Sequence, residues 1–288
     1  MKKYTNKILI ITTALVLVAS TVFFFIKVSE IKKKIAETTQ VLVVGTIHES
    51  HETNPNYSYQ DIINILGTYN PEVICVEIPP AIFRKELHLK EMVLASIYGF
   101  DHNIKVYPIG WQINDRDIES EREAYMLTDD YITKEQIAKS LIQSNRVIHN
   151  FVDEYGDMKD ILNENKMSYD FFNGWNYDNY FCESDKISIS VFGNSCINYF
   201  SETRNAEMMK LINRVIKENK GKRIMILTGL EHKHYFDQVL SLQDNVYVLK
   251  LKMILPLKNI PATKNMAEYL EKNSPKGYYD NTSNNINQ

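Results

Sequence analysis

Val41-Leu42-Val43-Val44-Gly45-Thr46-Ile47-His48-Glu49-Ser50-His51 is the stretch on which the reading of the whole chain turns. An unbroken aliphatic run rich in β-branched residues stops at a glycine, and a histidine follows three positions later. A short apolar run bounded by a turn residue reads as a buried strand, so the imidazole is predicted at the mouth of a sheet. The pattern returns as Arg223-Ile224-Met225-Ile226-Leu227-Thr228-Gly229-Leu230-Glu231-His232-Lys233-His234. One Gly-x-x-His carries little information. Two, each directly after a strand-like run, point to a paired site.

Between them the pattern builds an α/β domain over residues 41–260. Ser58 is placed to cap a helix whose apolar stripe is Ile62, Ile63 and Leu66, and Asn70-Pro71 ends it. Glu72-Val73-Ile74-Cys75-Val76-Glu77-Ile78 then reads as a second buried strand. Strand, helix and strand in so short a span make a βαβ unit, so the first two strands are predicted as parallel neighbours. Glu77 falls at the carboxyl end of the second strand, the edge where parallel sheets collect ligands. A helix over 81–98 leads to a third strand at 104–109.

A charged helical insertion follows, over about 115–166, with Thr133, Glu135 and Gln136 opening a long amphipathic helix. Its charges read as a solvated face and His149 as a surface or packing residue. Aromatics crowd residues 169–200, interrupted by Gly174, Asn176, Asn179 and Gly193. That spacing predicts a loop-rich region, either a lid on the core or the lining of a cleft. Ser201 is read as the cap of a helix over 202–220, which puts Arg204 in its first turn, where the macrodipole disfavours a cation. A residue set against its local preference often serves something remote; its bland alternative is a pair with Glu207. His232 opens another helix, with Phe236, Val239 and Leu240 on its apolar side, and a last strand runs over 245–251. Residues 261–288 read as a short helix and a polar tail, disordered from Asn273.

The amino-terminal segment is of a different kind. Residues 8–26 carry no charge and are dominated by aliphatic side chains and phenylalanine, long enough for the roughly 20 residues of a spanning helix. The run exceeds the roughly 7–15 residues of a signal-peptide core, which favours an uncleaved anchor over 1–27, followed by a lysine-rich helical linker over 28–40. The expectation is a single-pass protein, held by membrane lipid, with its catalytic domain outside the cytoplasm. Lysines on both flanks leave orientation weakly determined.

Composition closes several alternatives. A formal net charge of −3 offers no surplus to neutralise phosphates, which argues against a nucleic-acid partner. Cys75, Cys182 and Cys196 form neither a disulfide framework nor a zinc knuckle, although a Cys182–Cys196 bridge stays open in an oxidising compartment. No cysteine near the end of the apolar run offers a lipid anchor. His-Glu-x-x-His and Gly-x-Ser-x-Gly are both missing from the chain, so the usual zinc helix and the serine elbow are set aside.

If both Gly-x-x-His strands lie parallel in one sheet, His48, Glu77 and His232 meet at one edge. Two chemistries are open there. The three hold a divalent ion whose bound water becomes a nucleophile, or a histidine polarised by Glu77 acts as general base while Arg204 steadies an oxyanion. His51 and His234 are further imidazoles beside each turn, and the choice within each pair stays open.

On Gly45-Thr46-Ile47-His48, Glu77, Arg204-Asn205 with Met208, and Gly229-Leu230-Glu231-His232, the chain resembles the TraB/PrgY/GumN and Tiki superfamily, which also takes in relatives of the erythromycin esterases and ChaN-like proteins. The motifs stand in the same order and span most of 41–250. The resemblance implies a central, mostly parallel sheet flanked by helices, with both turns converging on one site. It implies a membrane-anchored hydrolase, foremost a metal-dependent peptidase, with manganese, cobalt and zinc equally eligible. The esterase branch of the resemblance implies metal-free hydrolysis of lactones. A non-catalytic protein that sequesters a peptide or haem is the alternative from outside enzymology. The resemblance implies His48, Glu77, Arg204 and His232 as the site residues of the hydrolase, with a peptide or a small molecule as substrate.

Overall fold

The computed structural model describes residues 23, 24, 26–30, 34, 36–85, 89–111, 115–164, 166–193 and 195–272. The sheet domain begins at Thr39, two residues before the boundary expected from the sequence. The apolar run over 8–26 lies outside the described residues except for Phe23, Phe24 and Ile26. Among the described residues no helix is long and apolar enough to cross a membrane. The tail from Asn273 also lies outside them.

In chain order, β1 is Thr39–Thr46, followed by a single 3-10 turn, His48–Glu52, and helix α1, Tyr59–Tyr69. The Ser58 side chain accepts from the Asp61 backbone while the Asp61 side chain accepts from the Ser58 backbone. This reciprocal cap, at the position expected for Ser58, is worth about 1 kcal/mol. Asn70 ends the helix in the left-handed region, at φ 52°. Strand β2 is Val73–Val76, α2 is Lys90–Asp101, and β3 is Lys105–Pro108. A helix directly after the Pro79-Pro80 pair is the expectation, but residues 81–85 are turn and the helix starts at Lys90.

The insertion is built from α3 (Asp115–Met126), α4 (Asp129–Ser144, capped by Thr128), α5 (Arg146–Tyr155) and α6 (Met158–Glu164), with the one-turn α7 (Tyr169–Phe172) after it. The single long helix expected from Thr133 is therefore divided. Asn145 supplies the break, with its side chain accepting from the Val147 and Ile148 backbone. The aromatic region, predicted to be loop-rich, is instead dominated by one 18-residue helix, α8, Trp175–Phe192. Gly174 and Gly193 sit at its two ends, so these glycines are its boundaries and not interruptions. Tyr177, Tyr180 and Phe181 fall at helical spacing and turn one aromatic face inward.

Helix α9, Asn205–Glu218, is preceded by a π-helical turn over Phe200–Arg204. Ser201 lies inside that turn, several residues before α9, which corrects the expected helix start. Strand β4, Arg223–Gly229, runs directly into α10, Leu230–Ser241; β5 is Val246–Leu249 and α11 is Lys264–Lys272.

All five strands are parallel, in the order β3-β2-β4-β1-β5. The expectation that β1 and β2 are neighbours fails, because β4 lies between them. A βαβ crossover fixes handedness and direction but leaves room for a later strand to enter. Leu42, Val44, Ile74, Val76, Met225 and Leu227 pack under α1 and α2, while Val41, Val43, Val73, Cys75, Ile224 and Ile226 pack under α9 and α10. Both faces are covered, which is why these strands read as continuous apolar runs. Cys75 is buried among them, and burial pushes its thiol pKa far up; all three cysteines are free, so no Cys182–Cys196 bridge forms.

Candidate active site

Adjacent strands β1 and β4 send their following helices to opposite faces of the sheet, which opens a crevice at their carboxyl ends. Thr46 pairs in register with Gly229, so the two Gly-x-x-His turns leave the sheet side by side. The glycines make that approach feasible. A Cβ on Gly45 would lie 2.7 Å from Leu230 Cδ2, and one on Gly229 would lie 2.9 Å from His48 Nε2.

His48 takes a positive φ of 51°, an uncommon conformation for a residue with a side chain and one that collects at functional positions. Its Nδ1 lies 2.9 Å from Glu91 Oε1, and its side chain keeps 39% of its surface exposed. A carboxylate only accepts, so the proton belongs on Nδ1 and the Nε2 lone pair faces the crevice. Burial works to lower the His48 pKa, but the hydrogen bond and charge of Glu91, joined by Glu77 and Glu49, outweigh it and raise the value. Glu91 is fully buried in the first turn of α2 and also receives the Thr46 hydroxyl at 3.1 Å. Sequence reasoning does not single it out. Its one signal is an acid at the head of the apolar run over 92–97.

Glu77 follows β2 and is held on every side. Its Oε1 lies 2.6 Å from an Arg204 guanidinium nitrogen and 3.3 Å from His232 Nε2. Its Oε2 accepts from the Thr228 hydroxyl at 2.6 Å and the Gly229 amide at 2.7 Å. Burial alone would raise its pKa; the charges of His232 and Arg204 and these hydrogen bonds bring it down to about 2. Arg204 therefore does serve a remote partner, and it is Glu77 rather than Glu207. His232 stands in the first turn of α10 with Nδ1 2.5 Å from Asn205 Oδ1.

The spare histidines have other duties. His51 is buried, with Nε2 accepting from the Ile47 amide and Nδ1 donating to the Tyr57 carbonyl, and burial lowers its pKa. It braces the turn that carries His48. His234 Nε2 lies 2.8 Å from Asp185, on the side of α8. His48 and His232 are the two that line the crevice.

That crevice has a volume of about 560 Å³. His48, Glu77, Arg204 and His232 form its polar side, and Met158, Leu162, Tyr177 and Phe181 form an apolar side. The aromatic region thus both packs on the core and lines the cavity. Comparison with family models, with curated proteins and with solved structures returns no match.

As a ligand set, His48, Glu77 and His232 fit a resident metal poorly. Both Glu77 oxygens already accept two donors each, and a guanidinium stands 2.6 Å away, where it would repel a cation. Among the described residues no three His, Cys, Asp or Glu side chains are grouped as a ligand set.

Proposed function

We propose that this chain is a membrane-anchored hydrolase of peptide or ester carbonyls that works by general acid–base chemistry. The observation that carries the reading is the pairing of His48 with buried Glu91, which leaves Nε2 facing the crevice opposite Arg204 and His232. His48 Nε2 takes a proton from water as its oxygen attacks the carbonyl carbon. The negative charge that develops on the carbonyl oxygen meets the remaining guanidinium donors of Arg204, while His232, with one nitrogen on Glu77 and the other on Asn205, adds its charge nearby and holds Glu77 in place. His48 then returns its proton to the leaving amine or alkoxide as the carbon–heteroatom bond breaks. Glu77 fixes Arg204 and His232 for this task, and Asn205 orients His232. The anchor rests on the uncharged run over 8–26.

The test is hydrolysis of a p-nitrophenyl ester series and a peptide panel by the wild type and by His48→Ala. Loss of roughly 10²–10⁴-fold in kcat/KM, with the circular dichroism spectrum unchanged, is expected. Full activity in His48→Ala sinks the reading. Activity is also expected to survive exhaustive chelation; loss restored by manganese, cobalt or zinc would return a divalent ion to the site.

A further inference from the structure

We propose that the helical insertion, together with α8, supplies a preformed apolar subsite that takes a bulky, uncharged aliphatic or aromatic group beside the scissile carbonyl. The inference rests on the hydrolase reading and names its substrate class. Met158 and Leu162 come from α6, and Tyr177 and Phe181 from α8, so what these helices bring to the crevice lining is apolar or aromatic, while the sheet edge and its turns bring the charged groups together with Ile47 and Leu230. Met158, Leu162 and Phe181 are only partly buried, leaving apolar surface open to the cavity.

Three polar contacts, one buried and two part-buried and otherwise without a use in the reaction, hold this wall in place. Asn173 accepts from the Gly45 amide at 2.8 Å and donates to the Gly45 carbonyl at 3.3 Å. Lys233 is 2% exposed and lies 2.7 Å from Asp178 of α8, and His234 meets Asp185 further along the same helix. The two residues after His232 therefore bolt α8 to α10, fixing the apolar wall relative to both histidines. The apolar wall, which offers no charged partner among Met158, Leu162, Tyr177 and Phe181, argues for an uncharged occupant, and charge argues against an acidic one. The Arg204 guanidinium already pairs with Glu77, and Glu231 also lines the crevice, so an acidic group on the ligand is disfavoured.

The experiment compares p-nitrophenyl acetate, butyrate, hexanoate and octanoate as substrates, and 2-butanone through 2-octanone as non-hydrolysable ligands by calorimetry. kcat/KM and ketone affinity are expected to rise about fourfold per added methylene until the wall is filled. Phe181→Ala is expected to lose about tenfold more on octanoate than on acetate. Phe181→Leu is expected to keep the preference for long chains. Should Phe181→Ala not fold, the wild-type series still decides. Flat chain-length dependence in both measurements overturns the subsite. Chain-length-dependent ketone binding without turnover of any ester or peptide overturns the hydrolase reading and leaves the subsite standing.

Discussion

Replacing Glu91 by glutamine tests the central pairing while changing almost no volume. The carboxylate accepts from His48 Nδ1 at 2.9 Å and from Thr46 at 3.1 Å. If the glutamine turns its oxygen to His48, the tautomer survives but the charge is lost. If it turns its amide, the proton moves to Nε2 and the base is blocked. In the second case kcat/KM is expected to fall by roughly 10²–10⁴-fold, the span of a general base; in the first the base survives and the loss, read on the plateau where His48 is neutral, is smaller. The pH profile carries the sharper signature. His48 acts in its neutral form, so wild-type activity rises with pH through a value above the ordinary 6.5. Glu91 is the chief group raising that value, so in Glu91→Gln the ascending limb moves to lower pH. The fold is expected to hold, because losing a fully buried charge removes a desolvation penalty along with a hydrogen bond. The assay is kcat/KM on the ester series from pH 5 to 9, with a thermal melt. An unchanged rate with an unmoved limb would refute the assignment of His48 as the base and Glu91 as its partner.

Gly229→Ala keeps a φ of −57° that alanine adopts freely, yet its Cβ would meet His48 Nε2 at 2.9 Å. A loss of about 10²-fold in kcat/KM with little change in melting temperature is expected, since a displaced base misses its near-attack geometry. Glu77 has a depressed pKa, so its contribution is present above about pH 4.5 and lost as pH falls towards about 2. Urea denaturation from pH 5 to 3 should show the wild type losing stability faster than Glu77→Gln, by on the order of 1–3 kcal/mol over the window; parallel curves would contradict the pairing. Lys233→Ala removes the buried cation that Asp178 and Asp237 share and leaves them only the partly exposed Lys250, and a cost of about 3–5 kcal/mol is expected in urea. A change below about 1 kcal/mol would show that Lys250, 2.7 Å from Asp237, takes over the pair.

Much of the scaffold is local and can be read from neighbouring residues. The apolar runs of β1, β2 and β4, the Ser58–Asp61 cap and the stop at Asn70 depend on a few consecutive side chains. The two Gly-x-x-His turns and the strand-end position of Glu77 are legible for the same reason. Where local signals are ambiguous, reading fails: glycines that bound α8 resemble glycines that interrupt a helix until the packing of Tyr177, Tyr180 and Phe181 is known.

Remote pairing is decided by the tertiary structure alone. β4 enters between β1 and β2 because burying its apolar residues on both faces requires a central place, and no crossover length records that. Its entry sets Gly229 beside His48 and brings Glu77 under the second turn. Glu91 reaches His48 only because α2 packs across the sheet, and Asn205 reaches His232 only because α9 lies beside α10. Residue types announce a pair of histidines; the folded sheet chooses which imidazoles face the crevice, which nitrogen of His48 is free, and which carboxylate is already taken.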